Sequence, residues 1–368
     1  MERIRELDGL RAIAVLMVIA WHYFGTPDGP QSSAWHLFYI GHFGVDLFFV
    51  LSGFLIATIL LENRDSSNYF SAFYGRRALR ILPAYYLVCA AVLVGWLSGH
   101  ARGLFDGALP GWSYVLGVQN FWMAKLQTYG ADALTATWSL AVEEQFYLLF
   151  PLIVWLLPQP MLEKLLWAVI FICPISRVIL AFHGDQYAYY VLPQYRADVL
   201  CIGALIACWR VRGAKIDHRA AAAVFLIGLA GMVLAGFVGA RDWDAAAWQH
   251  TVSAAFFGAV LFLVLAGKAS RWLAPLRGRA ARFFARTSYL AYLIHSLVAA
   301  LVFALLHVQR TASTFSGIAV TALSFAVTFV ICAMSYRFFE RPLIVFGHSR
   351  FKYDAVEADV AAVAEQKS

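Results

Sequence analysis

Apolar runs of membrane-spanning length recur from end to end of this 368-residue chain. About twenty consecutive apolar residues suffice to cross a hydrocarbon layer roughly 30 Å thick. Composition agrees, with 61% hydrophobic and 14% charged residues, where soluble domains hold roughly 45–50% and 25%. The fold class is therefore an all-α polytopic membrane protein of about ten transmembrane helices. The spans are expected at 9–25, 42–61, 79–97, 140–157, 163–182, 193–209, 220–239, 249–267, 283–306 and 315–338. They form one transmembrane domain, 1–345, followed by a short tail, 346–368, of mixed charge that is expected to be disordered. Basic residues precede the first run, as in a signal peptide. The flank Trp21-His22-Tyr23-Phe24 is no small-residue cleavage site, so the run reads as a retained helix.

Lysine and arginine test the span count. With both termini cytoplasmic, the outside loops hold Arg102, Lys125, Arg241 and Arg310, and two arginines, Arg177 and Arg196, lie within spans. The other 23 of the 29 Lys and Arg fall on inside segments. That asymmetry is what the positive-inside rule requires, and one helix more or fewer would scramble it. The net charge of +7 thus concerns orientation and anionic lipid before nucleic acid, for which no motif is present. The five cysteines sit inside apolar runs without ligand spacing and read as small core residues. His36, His42, His100 and His183 have no metal spacing.

A charge at mid-membrane costs about 2.5–3.5 kcal/mol, so each one asks for a reason. Arg11 opens the first apolar run and His22 closes it. Eleven residues turn a helix by about 1,100°, which puts both on one face roughly 16 Å apart along the axis. This suits a long ligand with an anionic head and a reactive tip, as acyl-CoA has. Arg11 as a topology anchor and His22 as a hydrogen-bonded interfacial histidine remain open readings.

Five stretches carry a family resemblance. They are Leu7-Asp8-Gly9-Leu10-Arg11 followed by His22; Gly44-Val45-Asp46-Leu47-Phe48-Phe49-Val50-Leu51-Ser52-Gly53-Phe54; Arg77-Ala78-Leu79-Arg80; Trp138-Ser139-Leu140-Ala141-Val142-Glu143-Glu144-Gln145-Phe146-Tyr147; and Ser335-Tyr336-Arg337-Phe338-Phe339-Glu340. In that order they resemble the membrane acyltransferase-3 family, over residues 4–343. The resemblance implies an integral-membrane O-acyltransferase of a bacterial inner membrane. It would carry an acyl group, most simply acetyl, from acyl-CoA to a hydroxyl of a glycan or glycoconjugate. Acyl-CoA would be a donor substrate, and no cofactor would be bound permanently. The extra extracytoplasmic esterase-like domain that some members carry is not expected within these residues.

The chemistry asks for a base, donors for an oxyanion, and cations for the CoA phosphates. The family makes His22 the essential histidine, and an imidazole near neutral pH is a fitting base. Glu143, expected at the depth of His22, or Asp46 would orient it; the alternative for each is a buried pair between helices. Arg77 and Arg80, three residues apart on one helix face, suit a phosphate clamp together with Arg11, or plain anchoring. Ser335, Tyr336 and Glu340 belong to the same donor end, with Glu340 pairing Arg11 or Arg80 as the alternative. Trp138, Glu144, Arg196 and Asp198 are the residues expected at the acceptor, or in helix pairing. Gly53 permits close helix approach, and beside it Ser52 has no base evident in the sequence. His295 reads as a packing residue. The expected route takes acyl-CoA from the cytoplasm and the acceptor from outside, near loop 98–139, in one ternary complex. A proton-coupled secondary transporter would also carry intramembrane charges, though no inverted repeat or matched pair of broken helices is visible. The same acyl transfer to a macrolide or another small hydroxylated acceptor would leave the chemistry unchanged.

Overall fold

In hydrocarbon there is no water to take backbone hydrogen bonds, and a continuous apolar stretch satisfies its own as a helix. The computed structural model describes residues 4–25, 38–99, 109–214, 218–238, 247–267, 270–311 and 314–354. The long helices are α1 (Arg5–Ala20), α2 (Gly44–Glu62), α3 (Tyr69–Leu97), α4 (Thr137–Leu156) and α5 (Gln159–Ala181). They continue with α6 (Ala197–Val211), α7 (His218–Val238), α8 (Gln249–Ala266), α9 (Arg279–Leu305) and α10 (Phe315–Ser335). A final helix, α11 (Arg341–Arg350), continues α10 through a π turn at Tyr336–Glu340. A second π turn, Trp21–Gly25, ends α1 and carries His22.

Among the described residues, nine helical segments are long and apolar enough to cross a membrane. The expected sixth span differs. It is the 15-residue helix α6, about 22 Å long at 1.5 Å per residue. Pro193 and the buried charges Arg196 and Asp198 mark its start. It is apolar on every side because α2, α5 and α8 pack around it. The third span also differs, because α3 begins at Tyr69 and carries Arg76, Arg77 and Arg80 within it. Loop 98–139 contains the short helices Gly111–Val115 and Gln119–Leu126. The expectation of a disordered tail from 346 is corrected over 346–354, where helix α11 runs on to Arg350 and the chain packs on α3. Arg76 Nε donates to Phe351 O at 2.5 Å and Asn68 Nδ2 to Lys352 O at 2.6 Å. Residues 355–368 lie outside the described residues, as do Arg3, His36, His100, Arg102, Lys215, Arg241, Lys268 and Lys367.

Helix α2 is the centre of the bundle: 72% of its apolar window is buried, against 17% for the lipid-facing α5. It packs on α1, α6 and α8, while α1 also packs on α9. The approach to α6 is the tightest. A Cβ on Gly53 would run into the Leu200 carbonyl, and one on Gly203 into the Val50 carbonyl. Without a hydrophobic drive between helices in lipid, backbone approach at small residues supplies the packing energy.

Candidate active site

The facing sides of α1, α2, α3, α4 and α9 do not close completely. They leave an inner cavity of about 100 Å³ walled by Arg11, Val45, Phe48, Ser52, Arg77, Arg80, Ser139, Glu143, Tyr147, Tyr289, Tyr292 and Leu293 among others. It adjoins a wider mouth of about 460 Å³, with which it shares Arg11, Arg80, Ser288 and Tyr289, and the two in line make a tunnel-like path. The mouth adds Asp8, Arg286, Tyr336, Glu340 and His348. So the structure brings Arg11, Arg77, Arg80, Tyr336 and Glu340 to one tunnel. Ser335 reaches it indirectly, its Oγ donating to Glu340 Oε1 at 3.1 Å.

Midway along the tunnel, Ser52 Oγ donates to Glu143 Oε1 at 2.7 Å, and Tyr147 OH donates to Oε2 at 3.2 Å. The Arg77 guanidinium lies 4.9 Å from the Tyr147 ring centre, a cation–π contact that fixes both side chains. Tyr289 OH donates to Ile81 O at 2.9 Å and ties α9 to α3. Ser139 and Tyr292 join their hydroxyls at 2.5 Å at the inner end. The adjacent Glu144 faces a different space, a side groove between α3 and α4 that shares Arg77 and Tyr147 with the tunnel. Its Oε1 is buried without a hydrogen-bond partner.

His22 stands beyond this tunnel and lines neither of its two cavities. Its Nδ1 is 2.9 Å from Val18 O. A carbonyl only accepts, so Nδ1 carries the proton and Nε2 keeps its lone pair. The ring meets His295 edge-on at 4.7 Å, and the Tyr292 ring is 6.2 Å from His295. His295 Nδ1 faces the carbonyls of Ala291 and Tyr292 at 3.1 and 2.8 Å. The expectation that Glu143 or Asp46 orients His22 is corrected here, because the main chain at Val18 does so. Glu143 lies about 9 Å into α4 from Thr137, and is held by Ser52 and Tyr147.

Asp46 belongs to a separate buried network. It pairs with Arg196 Nη2 and accepts from Ser253 Oγ and, at 3.1 Å, from His250 Nδ1. The Arg196 guanidinium is enclosed by the rings of Tyr190, Trp138 and Phe49 at 5.5, 5.6 and 5.7 Å. Asp198 takes a forked pair from Arg177 at 2.8 and 2.6 Å, and Arg177 also donates to Thr251 Oγ1 at 2.8 Å. The residues expected at the acceptor are therefore divided. Arg196, Asp198 and Trp138 are buried between helices, and only Glu144 faces an open groove.

Reading the sequence missed Arg286, Tyr147, Ser139, Tyr289, Tyr292 and the Arg177–Asp198 pair. One signal was available. Ser288, Tyr289 and Tyr292 repeat at helical spacing along α9, a polar stripe in an apolar helix. Ser52 was set aside for want of a neighbour that only the fold reveals.

Residues 4–337 match the family described as Acyltransferase domain. The chain is similar to the peptidoglycan O-acetyltransferase OatA of Listeria monocytogenes, 28% identical over 364 residues, covering 92% of this chain and 55% of that protein. It is 27% identical over 368 residues to the O-acetyltransferase OatA of Staphylococcus aureus, covering 94% and 58%. It is also 38% identical over 156 residues to the putative peptidoglycan O-acetyltransferase YrhL of Bacillus subtilis, covering 40% and 23%. The chain thus spans a little over half the length of the OatA relatives. No solved structure matches it.

Proposed function

The chain belongs to the Acyltransferase domain family, and from that premise we propose that it is an integral-membrane O-acetyltransferase of a bacterial cytoplasmic membrane. It takes the acetyl group from acyl-CoA and places it on a hydroxyl of an envelope glycan, peptidoglycan foremost, as the names of its OatA relatives suggest. One observation carries the donor. Arg11 from α1, Arg80 from α3 and Arg286 from α9 converge on a wide mouth, and the tunnel behind it narrows to a hydroxyl-lined cavity. Guanidinium groups bind phosphate by forked, charge-assisted hydrogen bonds. Acyl-CoA has its phosphates at one end and its thioester at the other, which is the polarity of the tunnel. Glu143, midway, offers carboxylate oxygens to the amide N–H groups of the pantetheine arm.

His22 acts as general base in this reading. Its free Nε2 removes the proton of the acceptor hydroxyl, whose oxygen attacks the thioester carbonyl; the C–S bond breaks and CoA leaves as the thiol. Val18 sets the tautomer that this requires. The basic mouth faces the cytoplasm, in keeping with the positive-inside rule, and the acceptor arrives from the His22 end. The test is purified protein in sealed, oriented vesicles, with acetyl-CoA at the mouth side and a muropeptide acceptor on the other. Release of CoA thiol coupled to acetylated product is expected. Product that forms without any acyl-CoA would overturn the donor, and product only when both substrates share the mouth side would overturn the sidedness.

A further inference from the structure

The tunnel has a depth axis that can be followed along two helices. On α2, Leu55 lines the mouth, and Ser52, Phe48 and Val45 line the inner cavity. From Leu55 to Val45 is about 15 Å at 1.5 Å per residue. On α9 the order inward is Arg286, Tyr289, Leu293. The cations and Glu143 occupy the outer and middle parts, whereas at the inner end Val45, Phe48 and Leu293 supply an apolar wall beside the hydroxyls of Ser139 and Tyr292. At that end Ser139 and Tyr292 join their hydroxyls at 2.5 Å and narrow the passage toward His22. Ser139 Oγ already donates to Ala136 O at 3.1 Å, so Tyr292 OH is the donor to Ser139. The Tyr292 ring is held further by Phe48, edge-on at 5.9 Å, and by His295 behind it. The Tyr292 side chain is therefore held by three neighbours.

We propose that this inner end is the acyl pocket, and that Phe48 and Leu293, beside the Ser139–Tyr292 pair, limit the donor to a two-carbon acyl group. The proposal rests on the acyl-CoA reading above. With its phosphates on the arginines, the donor lies lengthwise and its thioester is the deepest functional group. The acyl methyl then lies against Phe48 and Leu293 at the side wall, the carbonyl stays open to the hydroxyl that arrives from the His22 end, and a longer chain meets the Tyr292 ring. Interiors are packed without spare volume, and one methylene too many in such a pocket changes the rate by roughly 10–200-fold.

The experiment measures CoA thiol release by the protein in nanodiscs, with the muropeptide acceptor at one fixed concentration and acetyl-, propionyl-, butyryl- or hexanoyl-CoA as donor. The result read is the ratio of rates between donors within one preparation, so a partly unfolded fraction cancels. The expected wild-type order is acetyl, then propionyl about tenfold or more lower, then little beyond. Leu293→Ala and Phe48→Leu, with Phe48→Ala as the larger opening, should raise the butyryl-to-acetyl ratio by about tenfold or more. A wild-type protein that turns over hexanoyl-CoA as readily as acetyl-CoA would overturn the assignment. So would unchanged ratios in all three variants, and both results would leave the acyl-CoA reading standing. Failure to consume any acyl-CoA would overturn that reading, and this inference with it.

Discussion

Asp46→Ala is expected to damage the fold before it damages chemistry. Asp46 and Arg196 are each about 1% exposed and paired with one another. The Nε and Nη1 groups of Arg196 have no hydrogen-bond partner, and aromatic rings enclose the guanidinium. Removing Asp46 leaves that cation buried with no counter-charge, and also strips an acceptor from His250 and Ser253. Breaking a buried pair in this way costs about 3–5 kcal/mol. That is roughly a hundred- to several-thousand-fold in the folded-to-unfolded ratio at about 1.4 kcal/mol per decade. Removing both charges is milder, because desolvation of Arg196 is no longer uncompensated. The assay is reversible unfolding in mixed micelles for Asp46→Ala, Arg196→Met and the double variant. The double variant should recover about 2 kcal/mol or more of the summed single losses, as coupled buried charges do. Additive losses would refute the pairing argument. An Asp46→Ala protein of unchanged stability and no activity would instead place Asp46 in the reaction.

Arg80→Ala should raise the apparent KM for acetyl-CoA about tenfold or more, since a charge-assisted hydrogen bond contributes about 1.5–3 kcal/mol; steady-state kinetics with donor and acceptor varied separately will check it. His22→Ala should abolish transfer to acceptor while leaving CoA binding, measured by equilibrium dialysis, within about twofold of wild type, because His22 lines neither cavity. Gly53→Ala should reduce stability and yield of folded protein, because the added Cβ meets the main chain of Leu200 and not a yielding side chain. Overpacking of this kind costs about 1–3 kcal/mol or more, and size-exclusion profiles in detergent will show it.

The bundle was legible because lipid leaves an apolar chain little choice, and among the described residues nine of the ten expected spans meet the length and hydropathy needed to cross. The span that fell short, α6, is buried by α2, α5 and α8 rather than by lipid. Hydropathy cannot separate those two environments. Within the site, Arg11, Arg77, Arg80 and Glu340 share a tunnel as their motifs suggested. The carboxylates were misplaced because sequence gives depth along one helix but not the facing residue on the next. Glu143 found Ser52, and Asp46 found Arg196. Arg177 and Asp198 were individually conspicuous as intramembrane charges, yet their pairing depends on how α5 meets α6.

The motif on α2 shows how one stretch can serve both systems. At 3.6 residues per turn, Asp46, Val50 and Gly53 fall on one stripe, and Val45, Phe48, Phe49 and Ser52 on another. The first stripe meets α6: Asp46 binds Arg196, Val50 O lies against Gly203, and Gly53 lies against Leu200 O. The second stripe lines the tunnel. The ion pair and the glycine contacts fix the rotation and height of α2 against α6, and that rotation decides where Ser52 and Phe48 point. Phe49 joins the stripes directly, since its ring borders the tunnel and also flanks the Arg196 guanidinium at 5.7 Å. A rigid wall is what a narrow acyl pocket needs, because a displacement of one methylene's width would erase its discrimination. The buried charges of α2 and α6 therefore contribute to the site without touching it, by holding the wall against which the donor is measured.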